Sequence, residues 1–284
     1  MYNTFGLEVN VQNIYKVCFP FISEKEIVNL NDLKLPYFKF LEKQQPDCPV
    51  NYSDSIFILE NEIEEKLKNA YSIGVLDDLK QSILIGEEYN LEEKIKRINK
   101  VIKALEILKK LDEDLFSLLT TTIHSIFIRN YNQLLGTSGT HGGSSSGAIG
   151  VIWLTVNDNV TEYDLVELLI HELTHNLIFI DELNRPQFVY NEIKKKENYA
   201  HSSILTMNRP LDKVVHSIIV AAELLLTREK LMNFDYVKNI HPETVVMRKN
   251  ILNSIESVKN MKNIDDVLMP RGKELVQICE NLIF

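Results

Sequence analysis

The segment from about Glu162 to Glu182 constrains this chain more than any other. Leu165, Val166, Leu168, Leu169, Ile170, Leu173, Leu177, Ile178, Phe179 and Ile180 leave scarcely any polar face on a helix, so such a helix must be buried on nearly every side. Thr161 and Asp164 form a capping-box pattern at its start: the Thr side chain accepts from the amide three residues on, and the carboxylate reaches back. A helix buried this thoroughly needs a large core around it. The 284 residues, 45% of them hydrophobic, are enough to supply one.

Inside that apolar wall sit three polar residues, His171, Glu172 and His175. Two imidazoles four residues apart project from the same helix face at a separation that one divalent ion bridges, with Glu172 beside them and able to reach bound water. Burying three such groups without partners costs several kcal/mol, whereas a metal ion compensates all of them at once. His171 and His175 are therefore read as metal ligands.

Two protein ligands seldom suffice. The first candidate for a third is His216, on a segment in which Pro210 fits a first helical turn and Leu211, Val214, Val215, Ile218, Ile219 and Ala222 form a buried stripe. Arg209, Asp212, His216 and Glu223 fall on one side of that helix, because seven residues make nearly two turns. The second candidate is Glu192, at a distance from His175 reminiscent of the glutamate ligand in thermolysin-like zinc peptidases. The charged run Ile193-Lys194-Lys195-Lys196-Glu197 after it reads more naturally as a solvated face. Glu223 remains as a ligand or as a residue behind the ligands.

Around this centre the chain is helical before it and after it. Residues 1 to 55 mix apolar clusters with X-Pro turns, which predicts short helices and irregular connections. Leu91, Ile95, Ile98, Ile102 and Leu105 predict a solvated helix with one buried stripe, and Leu111 to Tyr131 reads as a more apolar helix in which His124 is structural. Gly136 to Gly147 is too rich in Gly and Ser for regular structure. It reads as a mobile loop bordering the site, expected to order over a bound substrate, and it runs into a short strand at Ala148 to Val156. His241 precedes Pro242 and is read as capping the next helix. From there to Phe284 two amphipathic helices follow, with Ile251, Ile255 and Val258, then Leu275, Ile278 and Leu282, as their apolar sides. Together these elements predict a predominantly helical α+β fold, one domain with a helical part over 1–135 and the metal-site part over 136–284.

Composition narrows the partners. Lys+Arg 31 against Asp+Glu 40 gives a net charge of −9, and a surface so acidic is not built to grip nucleic acid or anionic lipid. The chain has no apolar run of the roughly 20 residues that a membrane span needs. Three widely spaced cysteines, Cys18, Cys48 and Cys279, do not frame a disulfide scaffold, so a reducing cytoplasm is the expected setting.

The succession Gly142-Gly143-Ser144-Ser145-Ser146, Val151-Ile152-Trp153-Leu154 and His171-Glu172-Leu173-Thr174-His175-Asn176-Leu177 resembles the HExxH-motif peptide-modification proteins. Tyr199-Ala200-His201-Ser202-Ser203 and Arg209-Pro210-Leu211-Asp212-Lys213-Val214-Val215-His216 are similar too, so the likeness spans roughly Gly136 to Lys230. It implies an iron(II)- and 2-oxoglutarate-dependent oxygenase that hydroxylates a β-carbon of a ribosomally made peptide, with His171, His175 and His216 holding the iron. Three ligands on one face leave coordination positions for the cosubstrate. Arg209 suits its distal carboxylate by fork geometry, an inference from the helix face. Ser145, Ser146, Tyr199 and His201 are assigned to the substrate.

Non-haem iron oxygenases usually bind through two His and one carboxylate, and an all-His set suits zinc as well. Zinc would make Glu172 the general base of a metallopeptidase, with the Ala148 to Val156 strand aligning a peptide by edge pairing. A third possibility is a metal that serves only as a structural staple, although structural zinc sites favour cysteine and four ligands.

Overall fold

The computed structural model describes residues 1–23, 27–71, 81–132, 141–202, 207–232 and 238–283. It is a predominantly helical α+β fold. The chain opens with helices α1 (Tyr2–Phe5), α2 (Leu7–Cys18), α3 (Lys34–Gln44), α4 (Asn61–Ala70) and α5 (Gln81–Leu84), then strand β1 (Ile85–Glu88). Helices α6 (Leu91–Leu111) and α7 (Glu113–Thr122) lead into strands β2 (Ser125–Tyr131), β3 (Gly142–Gly143) and β4 (Val151–Leu154). Next come α8 (Glu162–Asn184), α9 (Tyr190–Ile193) and the strand pair β5 (Ala200–His201) and β6 (Asn208–Arg209). Helices α10 (Leu211–Lys230), α11 (Thr244–Lys259), α12 (Ile264–Val267) and α13 (Pro270–Ile283) follow.

Helix α8 begins as its sequence predicts. Thr161 Oγ1 accepts from the Asp164 amide at 3.1 Å while Asp164 Oδ2 accepts from the Thr161 amide at 2.9 Å. From there α8 runs through the centre of the molecule, packed against α2, α6 and α10, and α10 in turn packs against α1, α11 and α13. The resulting core takes in residues from Met1 to Ile283. No helix among the described residues is long and apolar enough to cross a membrane.

The sheet runs in the order β1-β2-β4-β3, with β2 and β4 parallel and the outer pairs antiparallel. Strand side chains alternate between faces. Ile126 and Ile128 of β2, with Ile152 and Leu154 of β4, join the helical core. Phe127, Val151 and Trp153 face a smaller core built on Cys48, Ile58, Leu67 and Tyr71. The sheet is thus buried on both sides, which is why β4 reads as a continuous apolar run. Strand β4 pairs with β2 along its whole length and with β3 at Trp153 and Leu154, so among the described residues little of its edge is left for the peptide pairing expected of it.

Other expectations also change. The helix expected over Leu111 to Tyr131 ends at Thr122, and Ser125 onward is strand, because Ile126, Phe127 and Ile128 fill a two-sided central strand better than a one-sided helix. His124 lies at the turn between the two, buried, with its Nδ1 accepting from the Asn51 amide at 3.3 Å, a structural histidine as read. Gly150 beside it has φ +86, where a Cβ would meet the His124 ring at 2.6 Å.

On α6, Ile98 and Leu105 are buried as expected, whereas Leu91, Ile95 and Ile102 are exposed and Lys94, Val101 and Leu108 complete the buried face. Lys94 turns inward because Glu64 receives its ammonium at 2.9 Å. At the end of α13 Leu282 is exposed, while Leu275, Val276, Cys279 and Ile283 are buried.

Candidate metal centre

Helices α8 and α10 bring the three predicted imidazoles together. The His171 and His175 ring centroids lie 5.0 Å apart and those of His175 and His216 5.8 Å apart. Phe179 and Phe188 wall the cluster, at 5.5 Å and 6.3 Å from the His216 ring. His216 is buried, whereas His171 and His175 are partly exposed, so the cluster opens to solvent on the α8 side.

Burial first, then neighbouring charge, sets the protonation of these rings. His171 is lowered to about 3 by burial and the neighbouring His241. His216 is lowered to about 3 by burial and the charges of Lys213 and Arg209, and His175 is pushed well below its usual value by burial and by His171, His216, Lys213 and Arg209. These shifts favour the neutral rings, in which each imidazole has one nitrogen lone pair to offer.

The donor chemistry suits a divalent transition ion. His216 Nε2 is a buried nitrogen without a hydrogen-bond partner, an uncompensated cost that a metal ion would remove. The spacing, however, is that of rings packed on one another. Among the described residues no three His, Cys, Asp or Glu side chains are already gathered around one point as metal ligands.

Glu172 is buried beside the cluster, its Oε1 3.9 Å from His171 Nε2. Burial pushes its carboxyl up to about 8 against the opposing hydrogen bond from Ser144. Ser144 Oγ donates to Glu172 Oε2 at 2.8 Å, and Asn176 Nδ2 donates to Ser144 Oγ at 3.1 Å. Asn176 Oδ1 in turn accepts the Gly150 amide at 2.7 Å, which ties the start of β4 to α8. Tyr71 secures the same region from the other face, its hydroxyl donating to the carbonyls of Gly143 at 2.9 Å and Val151 at 3.2 Å.

The predicted cosubstrate residue Arg209 is half-buried in β6, before the helix rather than on it, since α10 starts at Leu211 after Pro210. Its charge still bears on His175 and His216. Lys213 supplies a second cation near the same rings, its Nζ 3.3 Å from Asp212 Oδ2. Glu182, raised to about 7 chiefly by burial, accepts from the Tyr190 hydroxyl and lies near Asp212 and Lys213.

The assigned substrate residues are placed less closely. Ser145 is buried and its Oγ accepts the Gly147 amide at 3.2 Å, while Ser146 is exposed; the serine that touches the site is Ser144, one residue earlier. His201 pairs with Asn208 across the β5–β6 ladder, and its amide donates to Ser257 Oγ at 2.9 Å. Neither Tyr199 nor His201 hydrogen-bonds to the cluster through its side chain, although β5 runs beside Arg209. Residues 136–140 of the expected loop lie outside the described residues.

Both carboxylate candidates for the third ligand are engaged elsewhere. Glu192 sits on α9 with its oxygens 2.9 and 2.7 Å from Lys195 Nζ. Glu223 is buried about two turns farther along α10 from His216, accepting the amides of Asn3 at 2.6 Å and Thr4 at 3.1 Å and pairing with the Met1 ammonium at 3.0 Å.

His241 does not cap a helix; α11 begins at Thr244, after Glu243. Its ring instead meets that of His171 edge to edge, centroids 5.1 Å apart and planes within 16° of parallel, with His241 Nε2 3.0 Å from His171 Nδ1. His241 Nδ1 lies 3.1 Å from Glu167 Oε2, and Arg228 grips the same carboxylate at 2.5 and 2.8 Å. Burial would raise Glu167, but Arg228 and His241 outweigh it and hold the carboxyl at about 2. A buried glutamate four residues before His171 was the available sequence signal for this arrangement. His241 gave none, being remote in sequence and next to a proline.

No family model matches the chain, and no curated protein matches it.

Proposed function

We propose that this chain is a metal-dependent peptide-modifying enzyme, an Fe(II)- and 2-oxoglutarate-dependent oxygenase that hydroxylates a β-carbon of a ribosomally synthesised peptide. The observation that carries this reading is the packing of three neutral imidazoles from α8 and α10 into one cluster, with His216 Nε2 buried and unpartnered. His171, His175 and His216 would hold the metal. When bound, iron and 2-oxoglutarate supply the oxidising chemistry that protein side chains lack.

The chain's own residues do the rest. Arg209 is suited to pair with the distal carboxylate of 2-oxoglutarate, and Lys213 adds positive charge beside it. Glu172, pinned by Ser144, holds a proton near neutral pH and orients a ligand or water next to His171. Phe179 and Phe188 keep bulk water from the inner side of the cluster. Of the residues assigned to the peptide, Ser146, Tyr199 and His201 are accessible from solvent, whereas Ser145 is buried. The cytoplasmic setting proposed from the cysteine pattern fits three thiols that are all free and buried.

The proximity of Glu172 to His171 also favours a second reading, a zinc-dependent peptidase with Glu172 as general base. Anaerobic addition of Fe(II) and 2-oxoglutarate separates the two. The oxygenase gives a visible charge-transfer band, then O₂-dependent succinate. No band, no succinate, and cleavage of unstructured substrates that Glu172→Gln abolishes would transfer the assignment to the peptidase.

A further inference from the structure

We propose that His241 is a positioning residue for His171, the last link of a buried relay Arg228–Glu167–His241 that selects the His171 tautomer presenting Nε2 to the metal centre. The final clause rests on the metal-centre reading; the hydrogen-bond relay stands or falls without it.

Arg228 keeps its positive charge at any ordinary pH and meets Glu167 with two N–H groups, at 2.5 and 2.8 Å, which fixes Glu167 as a carboxylate. A carboxylate only accepts. The ring nitrogen of His241 that lies 3.1 Å from it, Nδ1, therefore carries the proton. In a neutral imidazole this leaves Nε2 as an acceptor, and at 3.0 Å it faces Nδ1 of His171. That contact is a hydrogen bond only if His171 carries its proton on Nδ1. The lone pair of His171 is then on Nε2, the nitrogen on the Glu172 side.

A free histidine side chain prefers to carry its proton on Nε2, which would block the metal-facing position. The relay thus selects the less favoured but useful form, as the hydrogen-bond partners of metal-ligating histidines do.

The placement of His241 is built rather than incidental. Asp164, Glu167 and His171 follow one another at three- and four-residue steps on one line of α8, and all three hold the segment that carries it. Asp164 receives the Asn239 amide at 2.9 Å and the Asn239 side chain at 2.8 Å. Past His241, Arg228 Nη1 donates to the Pro242 carbonyl at 2.9 Å and reaches Thr244 Oγ1 at 3.3 Å. Clamped on both sides, the ring lies edge to edge with His171 and within 16° of parallel to it, as a hydrogen bond in the plane of both rings requires.

Nitrogen-15 NMR of the metal-free protein labelled at histidine reads the tautomer directly. His171 is expected to be protonated on Nδ1 in the wild type and to shift toward Nε2–H in His241→Phe, which retains a flat ring without nitrogens. Zn(II) affinity measured by chelator competition should fall about 10–100-fold in the same variant. His241→Gln, whose amide oxygen can accept from His171, should recover part of both losses. Nε2–H on His171 in the wild type, or a tautomer and affinity unchanged by His241→Phe, would overturn the relay. A wild-type protein with the expected tautomer but no metal affinity would sink the metal-centre reading alone. If His241→Phe does not fold, the wild-type spectrum and His241→Gln still decide the matter.

Discussion

His216 draws its importance from where its ring ends up. His124 also has a buried Nε2 without a hydrogen-bond partner, but its Nδ1 accepts the Asn51 amide and no second imidazole lies beside it among the described residues. The unpartnered Nε2 of His216 differs in its setting, buried beside His175 and two cationic residues. Replacing His216 by Ala should therefore abolish metal retention, while Glu192→Ala should leave it intact, since Glu192 is held by Lys195. Elemental analysis after dialysis checks both variants. The opposite pattern would move the third ligand to Glu192. The motif His171-Glu172-Leu173-Thr174-His175 was legible in the sequence because its residues are local, four apart on one helix. Ser144 was missed by one position because three consecutive serines give no local sign of which faces inward.

Helix α8 performs two tasks on different lines of its surface. One line carries His171 and His175 toward α10, and another ends at Asp181, where α2 and α13 are fastened. Asp181 accepts from Asn13 at 2.9 Å, Gln187 at 3.0 Å and Arg185 at 2.5 Å, and from Arg271 at 2.9 and 2.7 Å. Burial alone would raise its carboxyl, but the hydrogen bonds and charge of Arg271, with Arg185, hold it below the usual 3.8. A folded value below the unfolded one stabilises the fold above about pH 4, and that contribution is lost as the pH falls through the depressed folded value. Asp181→Asn leaves buried arginine charge uncompensated and should cost about 3–5 kcal/mol at pH 7. The gap from wild type should narrow as urea titrations are carried to lower pH. A gap independent of pH would show that shape rather than charge holds these elements together.

Elements were legible to different degrees for related reasons. Helix α8 was clear from Thr161 to its last turn because capping and periodicity agree. The span from Ser125 to Tyr131 was mistaken for helix because a strand buried on both faces shows an apolar run without alternation. The stripe on α6 was right at Ile98 and Leu105 and wrong at Leu91, Ile95 and Ile102, because an inward lysine looks like a solvated one until Glu64 is found thirty residues earlier.

At the scale of the whole molecule, a metal held between α8 and α10 would bind only the folded chain, because its ligands are 45 residues apart at the extremes and meet only when the helices pack. At a free metal concentration 100 times Kd the fold should gain about 2.7 kcal/mol, which for a domain of this size is about 5 °C in Tm. Differential scanning fluorimetry with added Zn(II) or anaerobic Fe(II) measures the shift. It should reverse with chelator and vanish in His216→Ala. What the sequence alone determined were the features carried by short spacing: the helical content, the central buried helix, the pair of imidazoles on it and the apolar helix bearing a third. Tertiary structure alone decided which remote groups meet them. His241 hydrogen-bonded to His171, Glu167 locked to Arg228, Ser144 on Glu172 and Glu223 turned to the amino terminus all join residues whose separation along the chain says nothing about their distance in space. Hydrogen bonds and ion pairs of this kind are chosen by packing, once the helices have committed their apolar faces to the core.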